Sequence, residues 1–253
     1  MLIVERQSRL LEIIKRKQVA ELAELCKELD VSISTVRRDL ETMEERGVVQ
    51  RTHGGVIYRG ELGDKSGPVN ALASRMNENI AAKDAIARYA ASLVQPHMTV
   101  FMDAGSTVIF AARAITVRPI QVVTTSLSIA NHYVDDDRVE LTLTGGNLYP
   151  RTGAMVGTLA RKCLSELHAD LCLFSLAAID EQAAYNINLE MARVEQMMMQ
   201  RANRTVMLMD ATKFGRKSLV KVCGLGEVDL TVTDASIDKS WVDRLGDGLV
   251  VAT

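Results

Sequence analysis

Over the first 58 residues, hydrophobic positions recur with the spacing of helices and then give way to short extended runs. Ile3, Leu10, Leu11 and Ile14 predict a first helix over Leu2–Lys17, and Val19, Leu22, Ala23, Cys26 and Leu29 predict a second. Ile33, Val36, Leu40 and Met43 fall at i, i+3, i+7 and i+10 and predict a third, which leaves Ser34, Arg37, Arg38 and Glu41 off the apolar stripe. Ser32 is placed to cap the third helix, because its hydroxyl can accept from an amide of the first turn. Gly47 suits a left-handed terminator. Val48–Arg51 and Val56–Tyr58 then predict two short strands around a glycine-bearing turn. Crossing helices followed by a basic hairpin outline a winged helix-turn-helix that presents Arg37 and Arg38 outward.

Beyond the hairpin, Arg59–Asn70 is polar and holds three glycines and a proline, the composition of a linker. Helical periodicity resumes over Arg75–Val94, with Ile80, Lys83, Ile86 and Ala87 on successive turns, and this segment is expected to bridge two domains. From Thr99 onward short apolar runs, TVFMD, QVVTT, VELTLTGG, Leu171–Ala177, Thr205–Asp210 and Leu230–Asp234, alternate with helical stretches such as Gly157–Leu167 and Glu190–Ala202. Such alternation predicts an α/β domain with a mostly parallel sheet. The expected division is therefore a DNA-binding domain over 1–58, a linker over 59–74 and a second domain over 75–253.

Composition narrows the classes. At 253 residues and 47% hydrophobic, the chain has material for a small domain and a larger one. A formal net charge of −2 excludes a protein that coats nucleic acid indiscriminately, so any affinity for DNA has to come from a local basic surface. Cys26, Cys163, Cys172 and Cys223 form no C-x-x-C pair, which argues against a zinc site and against a disulfide framework and suits buried thiols in a reducing cytoplasm. No apolar run approaches the length of a membrane span, and neither metal nor organic cofactor is expected.

A parallel sheet binds ligands at the carboxyl ends of its strands. Those ends carry Asp103 followed by Gly105, Ser106 and Thr107, then Thr124, Thr125 and Ser126, then Gly145 and Gly146, and finally Asp210 followed by Lys213. Glycine lets the backbone approach an anion, hydroxyls and amides at a helix start donate to it, and a lysine adds a point charge, so together these groups could cradle a phosphate. The same residues also serve as ordinary turn and cap residues, and Arg37 could simply pair with Glu41 one turn on. Met191, Met197, Met198 and Met199 are better read as flexible core filling or a subunit contact.

The segment ELAELCKELDVSISTVRRDLETMEERGVVQRTHGG resembles the DNA-binding segment of the DeoR family of bacterial regulators of sugar catabolism. The resemblance implies that Ser32, Ser34, Thr35, Arg37 and Arg38 face double-stranded DNA, with Arg51, Thr52 and His53 on the wing. Downstream, DAGST, VVTTS, LTGG, HADL, AID and MDATKFGRKSL are similar to the motifs of the family's sensor domain, an α/β fold shared with sugar-phosphate isomerases. By that similarity the effector is a phosphorylated sugar or polyol. Asp103 would take its hydroxyls, Gly105, Ser106, Thr107 and Lys213 its phosphate, and Thr124, Ser126, Gly145, Gly146, Asp180, Asn188 and Glu190 would complete the site. The chain departs from the family pattern at Ser175, Ala177 and Ala178, where hydrogen-bonding capacity is lost, and at Arg193 and Glu195, where charge is reversed. The implied protein is a repressor without catalytic residues that acts as a dimer or larger homo-oligomer, because half-sites are matched by protein symmetry. The alternative is a sugar-phosphate isomerase or deaminase with an appended DNA-binding module.

Overall fold

The structure is a computed structural model that describes residues 3–17, 19–45, 49–52, 54–58 and 71–253. The chain divides into two compact units, residues 1–74 and 75–253. In the first, helix α1 (Ile3–Lys17) leads to strand β1 (Val19–Glu21), helices α2 (Leu22–Leu29) and α3 (Ile33–Glu45), and strands β2 (Val49–Arg51) and β3 (Gly55–Tyr58). The strands form an antiparallel sheet in the order β1-β3-β2, with Ala20 opposite Val56 and Arg51 opposite the same residue on the other side. Leu10, Ile14, Ala20, Leu25, Leu29, Val36, Leu40, Met43, Val49 and Val56 make one core.

Three expectations change here. Val19 lies in a strand that the sequence pattern had merged into the second helix, because β3 offers it a pairing edge that helical periodicity cannot reveal. The buried stripe of α2 runs through Leu25 and Leu29, and Ala23 is exposed. Ile33, in the first turn of α3, is 48% exposed, since the core closes only from Val36 onward. The expected terminator Gly47, Val48 and the linker residues 59–70 lie outside the described residues.

A polar contact fixes how α1 meets α3. Asp39 is buried on the inner side of α3 and accepts from Arg6 Nε at 2.6 Å, Arg6 Nη2 at 3.2 Å and Gln7 Nε2 at 3.0 Å. Burial alone would raise its pKa, but the donors from Arg6 and Gln7 prevail and hold it below the ordinary carboxylate range.

Across the boundary of the two units and into the second, the segment expected to be one helix is two, α4 (Ala71–Asn77) and α5 (Ile80–Ser92). The break is at Asn79, which adopts a left-handed conformation at φ 50° and donates through Nδ2 to Asp210 Oδ1 at 3.1 Å. Lys83, buried on α5, donates through Nζ to the carbonyls of Arg75 and Glu78, so a cation satisfies the end of α4. The first four residues of that helix belong to the stretch expected to be linker.

The remaining elements are β4 (Thr99–Met102), α6 (Ser106–Ala114), β5 (Ile120–Thr124), α7 (Leu127–Tyr133), β6 (Val139–Leu143), β7 (Asn147–Tyr149), β8 (Ala154–Val156), α8 (Thr158–Ser165) and β9 (Ala169–Phe174). They continue through β10 (Ala178–Ile179), β11 (Ala183–Asn186), α9 (Leu189–Gln200), β12 (Ala202–Leu208), β13 (Val220–Gly224), β14 (Leu230–Asp234), α10 (Lys239–Leu245) and β15 (Leu249–Ala252). Seven strands form a parallel sheet in the order β15-β14-β12-β9-β4-β5-β6. Alternate residues of the central strands, Val100 with Met102 and Phe101 with Cys172, are all buried, as required when both faces of a sheet are covered. Phe101, Cys172, Phe174 and Met207 pack with Leu164, Met191, Val194 and Met198, while Met197 and Met199 lie partly buried against the same cluster. The methionines of α9 thus fill core.

The predicted strands are all present. Hairpin β7-β8, the small antiparallel sheet β10-β11-β13 and the edge strand β15 were not expected, because each is only two to five residues long and depends on a partner for its conformation.

Replacing Asp39 with Ala should destabilise the first unit by about 1–3 kcal/mol, since Arg6 loses a hydrogen-bonded partner at a largely buried site. Urea unfolding followed by helical circular dichroism checks this, with Trp241 fluorescence as an internal control that reports the second unit. An unchanged helical transition would refute the role given to Asp39.

Candidate functional site

On α3 the hydroxyl of Ser32 accepts from the amide of Thr35 at 3.3 Å, so the cap forms as the sequence predicts. Ser32 and Ser34 are exposed, and their hydroxyls lie 2.9 Å apart. Arg37 and Arg38 are both exposed on the side of the helix away from the buried Val36 and Leu40. Glu41 does not pair with Arg37. It accepts instead from Arg51 Nη1 at 2.7 Å, and Glu44 accepts from both Nε of Arg51 at 2.8 Å and its amide at 2.7 Å. Arg51, expected on the DNA, is therefore the clamp that fixes hairpin β2-β3 to α3. Its guanidinium is engaged on two carboxylates through Nε and Nη1 and remains 36% exposed. Thr52 is exposed in the hairpin turn, where its amide donates to the carbonyl of Gly55 at 2.9 Å. His53 lies outside the described residues.

The second unit offers a different kind of site. Strands β4, β5 and β6 step outward to one side of the sheet, and β9, β12, β14 and β15 step outward to the other, so strand order reverses between β4 and β9. At that switch point the loops leave in opposite directions and open a crevice. Asp103 follows β4 directly. Its Oδ1 accepts from the amide of Gly105 at 2.8 Å and its Oδ2 from the amide of Ser175, which follows β9, at 3.1 Å. Burial nevertheless pushes its pKa up to about 6, with these two amides, Lys213 and Arg75 acting in the opposite direction.

Gly105 precedes α6 without a capping side chain, so the first-turn amides of Ser106 and Thr107 point out of the helix end. A side chain at 105 would bring its Cβ within 2.8 Å of Ser175 Cβ and 3.0 Å of Asp103 Oδ1, so only glycine fits. Thr107 is fully buried and its hydroxyl has no hydrogen-bond partner among the described residues. Lys213, in a short turn after β12, donates through Nζ to Ser175 Oγ at 3.0 Å and lies 4.0 Å from Asp210. Desolvation draws its pKa down to about 8 although the side chain keeps 22% of its exposure. Asp103, Gly105, Ser106, Thr107 and Lys213 are thus brought to the strand-order reversal. Ser175, whose substitution had suggested a lost polar contact, retains a hydroxyl that orients Lys213.

The other expected ligands have structural tasks. Thr124 donates to the carbonyl of Met102 and accepts from the amide of Ser126, which itself caps α7. Gly145 and Gly146 turn the chain with positive φ, and a Cβ at 146 would meet the carbonyl oxygen of Val156 at 2.6 Å. Asn188 caps α9 and Glu190 pairs with Arg193 at the exposed start of that helix. Asp180 holds its own hairpin, accepting from the amides of Gln182 and Ala183, from Tyr185 Oη and from Lys217. Asp180, Asn188 and Glu190 thus each have partners within the chain.

Arg75, which sequence reasoning passed over, and Glu195, noted there only as a reversal of charge, belong here. Arg75 on α4 is desolvated close to Asp103 and donates to the carbonyl of Arg151 at 3.5 Å, and burial lowers its pKa. Glu195 on α9 lines, with Asp103, Thr125, Met155 and Met191, a small pocket of about 10 Å³, room for one water-sized group, that is partly open to solvent. No cluster of metal-ligating side chains occurs among the described residues, and no helix among them is long and apolar enough to cross a membrane.

A winged helix-turn-helix with its arginines outward, in one chain with a parallel sheet that opens a polar crevice, defines a two-domain transcriptional regulator. The DeoR-like helix-turn-helix domain matches residues 6–61 and the DeoR C terminal sensor domain matches residues 78–235. The chain belongs to the DeoR family of transcriptional regulators. It is 31% identical over 246 residues to the HTH-type transcriptional regulator GolR of Listeria innocua, covering 96% of this chain and 95% of that one. To the HTH-type transcriptional repressor GlcR of Bacillus subtilis it is 30% identical over 241 residues, covering 95% and 92%. Among solved structures, ribose 5-phosphate isomerase A of Methanocaldococcus jannaschii superposes with a TM-score of 0.39 at 19% identity over 55% of this chain and 56% of that one.

The hairpin contacts of Asp180 hold its carboxyl down to about 2 from an ordinary 3.8, the amide of Gln182 being the largest cause. A depressed pKa contributes stability that is present above the unfolded value and lost as pH falls through the folded one. The urea midpoint of the second unit, read by Trp241 fluorescence, should therefore drop between about pH 4 and pH 2, and should drop less in Asp180→Asn. Equal drops in the two proteins would show that Asp180 is not held by this turn.

Proposed function

We propose that this regulator is a repressor of an operon for the breakdown of a sugar or polyol, and that a phosphorylated form of that compound releases it from its operator. It works in the cytoplasm as a homo-oligomer, a dimer at least, because one helix-turn-helix reads too few base pairs and symmetric half-sites call for symmetric protein. The observation that carries the effector reading is the meeting of Lys213 with Ser175 beside the Asp103–Thr107 turn. A lysine, the uncapped start of α6 and a buried unpartnered hydroxyl lie at the one reversal of strand order. An ammonium and several amides favour a phosphate ester over a neutral sugar, whose hydroxyl gains little from the positive charge. The family membership and a relative named as a repressor support the regulatory reading.

Catalysis is not part of the proposal. Isomerisation of a sugar phosphate needs an acid and a base placed across the substrate. Asp180 is committed to its hairpin, Glu190 is paired with Arg193 at the surface, and Arg193 cannot serve as a base, which leaves Asp103 and Glu195 as the carboxyls at the pocket; relatives named as transcriptional regulators support the reading without catalysis.

Replacing Arg37 with Ala should weaken operator binding by about 1–3 kcal/mol and relax preference at one base pair if the guanidinium contacts a base edge. A titration against operator variants tests this, and wild-type affinity in the Arg37→Ala, Arg38→Ala double variant would refute the DNA-reading assignment. Lys213→Ala should leave operator affinity without effector unchanged while raising the effector concentration needed for release by about ten- to a hundredfold. If the variant responds to effector like the parent, Lys213 is not in the phosphate site.

A further inference from the structure

The cavity below the strand-order reversal holds an ionisable group for which neither the fold nor the phosphate reading has a use. Glu195 lies on the inner side of α9 and is only 2% exposed. One oxygen, Oε1, accepts from Asn186 Nδ2 at 2.6 Å, which fixes the plane of the carboxyl. The other, Oε2, is buried and has no hydrogen-bond partner among the described residues. A buried oxygen without a partner is costly, and a functional site is where such a group is tolerated.

Its surroundings indicate what is missing. Asp103 lines the same cavity, and the walls between the two carboxyls are the apolar side chains of Met155, Val156, Met191 and Val194. Burial raises the pKa of Glu195 well above its ordinary value and the charge of Asp103 raises it further, while the Asn186 donor and the charge of Lys213 act in the opposite direction. A hydroxyl satisfies Oε2 in either protonation state, because it donates to a carboxylate and accepts from a carboxylic acid. A carboxylate on the ligand is larger than the one water-sized group that the pocket admits, and it would bring a third acid beside two groups that already compete for protons.

We propose that Glu195 is a specificity-determining residue that takes a neutral hydroxyl at the end of the effector remote from the phosphate, so that the site accepts a polyol phosphate and rejects the matching aldonic acid phosphate. This rests on the phosphate reading of the Gly105–Thr107 turn and Lys213. Asp103 holds the Gly105 amide of that turn and lines the same pocket as Glu195, so on this proposal it meets the hydroxyls between the phosphate and the group that Glu195 takes.

Binding to the purified full-length chain tests it with pairs that differ only in a terminal hydroxymethyl or carboxylate. The pairs are glycerol 3-phosphate with 3-phosphoglycerate, ribitol 5-phosphate with 5-phosphoribonate, and sorbitol 6-phosphate with 6-phosphogluconate, with inorganic phosphate alongside. For the chain length that fits, the alcohol should bind about tenfold or more tightly than the acid. Glu195→Gln, which keeps the shape of the group, should narrow that gap, and Glu195→Lys should reverse it. Equal binding of alcohol and acid, or a gap that Glu195→Gln leaves intact, overturns the assignment. So does binding of inorganic phosphate, lost in Lys213→Ala, without binding of any pair. If inorganic phosphate and every pair fail to bind, the phosphate reading itself falls.

Discussion

The second unit depends on a carboxylate that joins the ends of two neighbouring parallel strands, β4 and β9, between which the strand order reverses. Asp103 ends β4 and accepts from the amide that follows β9, so a single side chain spans the place where the sheet changes direction. In a parallel sheet that place must open, since the loops on either side depart in opposite directions. Buried amides there need acceptors, and Asp103 supplies one to Ser175 and one to Gly105. Its cost is desolvation, visible in a pKa raised to about 6. Gly105 follows from the same contact, because nothing larger fits between Asp103 and Ser175.

Charge around that point is arranged in alternation. Lys213 sits between Ser175 and Asp210, Arg75 lies near Asp103, and Lys83 is turned onto the carbonyls of α4. Each cation lies near a carboxylate or a carbonyl, which is how charged groups persist where water is scarce. Glu195 departs from this pattern, with one oxygen satisfied by Asn186 and the other without a hydrogen-bond partner among the described residues. The first unit follows the opposite plan. Its buried charge, Asp39, is saturated by Arg6 and Gln7, its wing is clamped by Arg51, and the exposed arginines of α3 are kept for the surface.

Chain pattern alone determined the elements whose signal is local. The stripe of α3, the Ser32 cap, the parallel strands and the chemistry at their carboxyl ends follow from spacing and residue type, because helix faces and buried strands are written into a few neighbouring positions. Tertiary structure decided the rest. Whether Glu41 pairs with Arg37 or Arg51 depends on a hairpin ten residues away, and β1 exists only because β3 lies beside it. Asp180, Asn188 and Glu190 carry suitable side chains for a ligand, yet a turn, a helix cap and a surface pair claim them. Arg75 reads as an ordinary helix charge and Glu195 as a reversal of the family pattern until the packing of α4 and α9 sets them near Asp103. Sequence records which groups a segment carries, and only the folded chain decides which of them are left unpaired where a ligand can reach.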